Sequence, residues 1–217
     1  MTISSVGAIF AGPSTATVDD QARQDSLAVA EGLKRRKAGL IEELIVRYQH
    51  RLLRYLLFLT GNRETAEDLF QEVWMRVLVR GNQFNGKARF ETWLFTIARN
   101  LVIDYRRKRT MNSLDELIEG AGDDDRSMCF EVAADDPTPF DRVANLEDRE
   151  KIAAALLELD TLHREVLVLR FHEELSLEEI AKVTRAPLST VKSRLYRGLA
   201  MIKPKLGYAA FRVQEAV

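Results

Sequence analysis

Ser176-Leu177-Glu178-Glu179-Ile180-Ala181-Lys182-Val183-Thr184-Arg185-Ala186-Pro187-Leu188-Ser189-Thr190-Val191-Lys192-Ser193-Arg194-Leu195-Tyr196-Arg197 reads as a helix, a tight turn and a second helix. Ser176 and Glu179 have capping-box spacing, in which hydroxyl and carboxylate satisfy backbone N–H groups that a helix start leaves unpaired. Pro187 cannot continue the first helix, because its ring displaces the preceding turn, and it begins the second. From Lys182 to Lys205 the chain carries seven Lys or Arg and no carboxylate. Cations held near phosphates release condensed counterions and drive sequence-independent affinity. Arg185 in the turn and Ser189, Thr190, Lys192, Ser193, Arg194 and Arg197 on the second helix form a polar face, while Val191, Leu195, Leu199 and Ile202 form an inward stripe. Such a division suits a helix lying in the major groove of duplex DNA.

The rest of the 217-residue chain, with a formal net charge of −1, hides this basic module. Glu31 to Thr110 holds 17 Lys/Arg against 9 Asp/Glu, whereas Met111 to Glu150 holds 3 against 13. Near-neutrality therefore averages two basic modules with an acidic connector. We expect an all-α protein of two small helical domains: a mobile tail over 1–24, a first domain over 25–110, a flexible acidic linker over 111–144, and a second domain over 145–217 carrying the helix-turn-helix. Gly120-Ala121-Gly122, Asp123-Asp124-Asp125 and Asp135-Asp136-Pro137 mark the linker. The acidic triplet lacks the Gly turn and bidentate Glu of a calcium loop and reads as a solvated charge run. In the free protein the linker is expected to lie against the basic faces and suppress DNA binding.

Three apolar stripes at helical spacing build the first domain. One runs from Leu40 to Thr60 and stops at Gly61; the next, about Glu64 to Arg80, turns Ala66, Leu69, Phe70, Val73, Trp74 and Val77 inward and shows Asp68, Gln71, Glu72 and Met75 on another edge. After the loop Gly81-Asn82-Gln83-Phe84-Asn85-Gly86-Lys87, a helix from about Ala88 to Arg109 ends in Arg106-Arg107-Lys108-Arg109. A helix C-terminus favours cations by about 0.3–1 kcal/mol each, but four in a row exceed what a cap needs. Rings and cations together suit single-stranded DNA, whose bases stack while Arg follows the backbone. Phe90 and Trp93 fall on the apolar face, so direct contact is assigned to Asn82, Phe84, Asn85, Arg99, Asn100, Arg106 and Arg107.

Enzyme chemistry has little support. His50, His163 and His172 lie in no HExxH or Cys-His context, no phosphate-cradling glycine loop occurs, and neither catalytic residue, metal nor cofactor is expected. Lone Cys129 has no disulfide partner, which fits a reducing compartment. The short apolar run Val6 to Ala11 lacks a preceding cation and fails as a secretory signal. No apolar stretch reaches membrane-span length, so a cytoplasmic protein without membrane insertion is expected. The C-terminal helices alone also fit a stand-alone repressor or activator, and the cations alone an RNA-binding protein.

Three stretches decide between these. Tyr48 to Tyr55 with Glu67-Asp68-Leu69-Phe70-Gln71-Glu72-Val73, Phe90 to Leu101 with Asp104-Tyr105-Arg106-Arg107, and Leu175 to Ala181 with Ser189 to Leu195 resemble, in order and spacing, bacterial RNA polymerase sigma factors of the extracytoplasmic-function group. The resemblance implies a non-enzymatic factor that directs promoter-specific transcription initiation. It implies that Asp68, Gln71, Glu72 and Met75 dock on the clamp helices of the polymerase β′ subunit. It also implies that the helix Phe90 to Arg109 and its loop open and read the −10 element, and that Arg185 and Ser189 to Arg197 read the −35 element. An anti-sigma protein is a further candidate partner.

Overall fold

A computed structural model describes residues 15–116 and 146–206, with side chains described for 22–110 and 151–205. Cys129, most of the acidic linker, the residues before Thr15 and those after Leu206 lie outside the described residues.

The first domain contains α1 (Thr15–Lys34), α2 (Leu40–Thr60), α3 (Arg63–Arg80), a 3-10 turn (Gly81–Gln83) and α4 (Phe90–Glu116). The stripe expected for α2 buries Leu44, Tyr48, Leu52, Tyr55, Leu56 and Leu59, and Gly61, at φ 72°, stops the helix. Asn62 then caps α3 by accepting from Thr65 N at 2.8 Å. Two boundaries differ from expectation. Helix α1 begins at Thr15, inside the stretch read as a tail, because after Pro13 no Gly or Pro interrupts the chain until Gly32. Helix α4 runs six residues past Thr110, since its run of Arg and Lys are good helix formers and no breaker follows before Gly120.

The second domain contains α5 (Leu146–Leu157), α6 (Thr161–Leu167) continuing as a π turn (Val168–His172), α7 (Leu177–Thr184) and α8 (Leu188–Leu206). Both halves of the capping box form: Ser176 Oγ accepts from Glu179 N at 3.2 Å, and Glu179 Oε2 accepts from Ser176 N at 2.8 Å. Arg185 takes φ 51°, turning the chain sharply before Pro187. Val191, Leu195 and Ile202 are buried, with Leu199 packed against them. Gly198 lets α8 approach α6, where an added Cβ would stand 3.0 Å from Leu167.

The two domains are docked on each other, which the sequence did not announce. Helix α2 packs against α6 and the π turn, and α4 packs along α7.

Candidate nucleic-acid interface

Helix α8 presents the polar, cationic face expected to read duplex DNA. Arg185, Ser189, Lys192, Ser193 and Arg197 are exposed, and Thr190 and Arg194 are half-buried at its edges. Arg185, Lys192, Arg194 and Arg197 form no ion pair among the described residues. Tyr196 shares this arc and is 68% exposed. The spacing 189, 192, 193, 196 places it there, although a lone ring among cations carries no sequence signal of its own.

On α3, Asp68, Gln71, Glu72 and Met75 are all exposed along one edge, which Leu78 and Val79 extend as an apolar continuation. Glu72 takes Arg76 Nε at 3.0 Å, an exposed i,i+4 pair worth a few tenths of a kcal/mol at most and easily exchanged for a partner.

The third surface is α4 with its preceding loop, and here one reading needs correction. Phe84 does not offer its ring to solvent; it is 2% exposed, with centroids 5.5 Å from Phe90 and 5.2 Å from Trp93. The 3-10 turn, closed by Phe84 N–H on Gly81 O, folds the ring inward to complete an aromatic cluster. Helix α1 holds the loop from behind. Gly86, at φ 71°, lies so close that a Cβ would stand 3.0 Å from Leu27 Cα and 3.1 Å from Ser26 O. Asn82 and Asn85 remain exposed, Asn85 Oδ1 accepting from Lys87 N at 3.0 Å.

Helix α4 itself has two edges at seven-residue spacing. Trp93 and Asn100 are half-buried and Arg107 exposed, along one edge that stays open. Arg107 makes only a 3.4 Å surface pair with Asp104. The other edge, Thr92, Arg99 and Arg106, is engaged. Arg99 Nε donates to Glu165 Oε1 at 2.8 Å, and Arg106 donates to Leu59 O at the end of α2. Thus the structure brings Asn100 and Arg107 together on an open edge and places Arg99 under the second domain.

Side chains missed by sequence reasoning build that junction. Glu165 is buried, and its Oε1 accepts from both Arg99 and the Tyr55 hydroxyl, at 2.8 and 3.0 Å. Burial, then the charge of Glu165, pushes Tyr55 well above the usual phenol range, so it stays a donor. Glu173 Oε2 accepts from Arg51 Nε and Glu173 O from Arg51 Nη2, both at 2.9 Å. Burial pushes the Glu173 carboxyl up to about 7, against the pull of Arg51 and Arg54. Arg164 satisfies last-turn carbonyls from both domains, donating to Phe58 O at 2.8 Å and Leu156 O at 2.9 Å. No periodicity announces a Glu whose partners stand in another domain.

Residues 44–111 match the family model for Sigma-70 region 2, and residues 149–202 that for Sigma-70, region 4. The chain is 36% identical to the ECF RNA polymerase sigma factor SigW of Bacillus subtilis over 160 residues, 73% of this chain and 84% of SigW. The chain belongs to the extracytoplasmic-function sigma factors. SigL of Mycobacterium tuberculosis is 32% identical over 185 residues, 83% of this chain and 98% of that one. Among solved structures, the sigma factor RpoE in complex with the anti-sigma factor NepR from Bartonella quintana has TM-score 0.60 at 24% identity, covering 78% of this chain and 98% of that chain, a likeness of fold. This sigma factor is a non-enzymatic protein of promoter-specific transcription initiation, acting with core RNA polymerase on promoter DNA. Its region 2 match spans α3 and most of α2 and α4, and its region 4 match spans α6, α7 and most of α8. No helix among the described residues is long and apolar enough to cross a membrane.

Proposed function

We propose that this sigma factor divides initiation among its three surfaces. Exposed Asp68, Gln71, Glu72 and Met75 on α3 dock on the β′ clamp helices. Asn82, Asn85, Asn100, Arg106 and Arg107, joined by Arg99 when the domains separate, hold single-stranded −10 DNA; Phe84 shapes their loop from within the core. On α8, Ser189, Thr190, Lys192, Ser193, Arg194 and Arg197, with Arg185 in the turn, read the −35 duplex, and Tyr196 adds an apolar contact to a base edge or sugar. The factor works in the cytoplasm, where the polymerase is, and an anti-sigma protein covering these faces is expected among its partners.

The observation that carries this reading is the α8 face, where Arg185, Lys192, Arg194 and Arg197 stand without an ion-pair partner among the described residues. An exposed basic helix in an ordinary bundle is normally laced with carboxylates at i,i+4, and α8 has none. Run-off transcription with core polymerase on genomic fragments tests it. Promoter-specific transcripts that vanish with an Arg194→Ala, Arg197→Ala variant support the assignment, and transcripts indifferent to those changes would refute it.

A further inference from the structure

The turn between α1 and α2 carries a further basic cluster, Lys34-Arg35-Arg36-Lys37, that belongs to none of the three surfaces. All four side chains are exposed. Arg35 holds Glu31 at 2.6 Å on the surface of α1, whereas Lys34, Arg36 and Lys37 form no ion pair among the described residues. Glu42 and Glu43, the carboxylates in the first turn of α2, do not pair with them either. A helix C-terminus favours cations in its last turn, which accounts for Lys34 and Arg35 but not for Arg36 and Lys37 beyond it.

The backbone singles out Arg36. Arg36 N donates to Leu33 O at 3.2 Å and Lys37 N to Gly32 O at 2.9 Å, the paired bonds of a helix stop whose left-handed residue is normally glycine. Arg36 fills that position at φ 50°. The same stop ends α7, where Arg185 N donates to Lys182 O at 3.4 Å, Ala186 N donates to Ala181 O at 3.1 Å, and Arg185 stands at φ 51°. An exposed arginine kept twice where its Cβ is a penalty argues for a use of its charge.

The placement of the cluster identifies what that charge meets. Leu33 packs on Gly81, where an added Cβ would stand 3.2 Å from it, and Leu27 packs on Gly86 at the other end of the loop. The loop therefore lies along α1, and its Asn82 end borders the cluster, with exposed Arg80 beside it. We propose that Lys34, Arg36, Lys37 and Arg80 form a phosphate clamp for the opened DNA strand where it leaves the loop on the side away from α4. The inference rests on the reading of α4 and its loop as the −10 surface. Asn82 and Asn85 engage the bases of that strand, and the cluster holds its backbone, adding affinity without sequence preference.

The test uses the full chain bound to core polymerase on a promoter fragment recovered by run-off selection. The binding constant of the open complex is measured against salt for wild type and for a Lys34→Ala, Arg36→Gly, Lys37→Ala variant. The variant is expected to bind about tenfold more weakly at about 0.1 M salt, with a slope of log binding constant against log salt shallower by about two, roughly 0.7 for each of three single-strand phosphate contacts. Arg36→Gly alone relieves the left-handed position, so it is expected to raise the denaturant midpoint while weakening the complex; a variant that gains stability and loses no affinity counts against the proposal. A methylphosphonate, which removes one phosphate charge, is then placed linkage by linkage along the non-template strand. Neutral linkages at one flank of the −10 element are expected to weaken wild type and leave the triple variant unchanged. A triple variant whose salt slope is unaltered, or that couples to no linkage, overturns the proposal. Loss of co-purification with core polymerase also overturns it, since the cluster would then meet a protein. In the same scan an abasic site inside the −10 element is expected to couple to Asn85→Ala, and absence of that coupling refutes the −10 reading separately from the clamp.

Discussion

Raising the pH from 6 to 8 should loosen the joint between the domains, and the reason lies in one side chain. Glu173 is fully buried; Oε2 takes Arg51 Nε at 2.9 Å, and Oε1 has no hydrogen-bond partner among the described residues. Burial lifts its pKa from 4.5 to about 7, overcoming Arg51 and Arg54, while Glu174 adds to the rise. In the separated state water reaches the carboxyl and its pKa returns toward 4.5. Between those values the docked state binds more protons, so its stability is full below 4.5 and is lost as pH rises to about 7. The slope is at most about 1.4 kcal/mol per pH unit, a tenfold change in the docked-to-separated ratio, and the whole window is worth at most about 3 kcal/mol. Dyes on Lys37→Cys and Ala200→Cys, in a Cys129→Ser background, report the separation by energy transfer. Transfer should fall between pH 6 and 7 and level off above. Glu173→Gln cannot titrate and should flatten the curve, which distinguishes Glu173 from neighbouring His172, Glu91 and Glu174. The same slope in Glu173→Gln, or opening on acidification, would refute the reasoning.

The other expectations are simpler. Asp68→Lys with Glu72→Lys should abolish co-purification with core polymerase while changing folding by less than about 0.5 kcal/mol each, because both sites are exposed; circular dichroism with a pull-down checks both halves. Phe84→Ala should lose about 3–5 kcal/mol of stability in a denaturant titration, as removal of a buried ring does, whereas Asn100→Ala should leave the midpoint nearly unchanged. A template mismatched around the −10 region should partly rescue transcription by Asn100→Ala, since unstacking a base costs a few kcal/mol that the mismatch has already removed; equal defects on matched and mismatched templates would place strand opening elsewhere. Lys192→Ala or Arg194→Ala should cost about 1–3 kcal/mol and relax preference at one −35 base if the side chain reads a base edge, and a loss uniform across sequences would mean phosphate contact only.

Local rules were enough for the helices and the open faces. The stripe of α2, the Ser176–Glu179 box, the stop at Gly61 and the turn at Pro187 are set by residues a few positions apart, so their geometry is written in spacing alone. The same holds for the exposed face of α8, whose inward and outward residues alternate with the helical period. Boundaries were less legible at α1, where few apolar residues mark a face and only the lack of breakers after Pro13 extends the helix. Phe84 was misread because a ring in a polar loop looks available until the 3-10 turn folds it onto Phe90 and Trp93. The joint between the domains was decided by tertiary structure alone. Arg99 and Glu165 are 66 positions apart, and Arg51 and Glu173 are 122 apart. No periodicity reaches across such distances. An Arg on a basic helix and a Glu on an apolar one each look like solvated charges until packing excludes water from both, and only then does the pair acquire its strength and its direction.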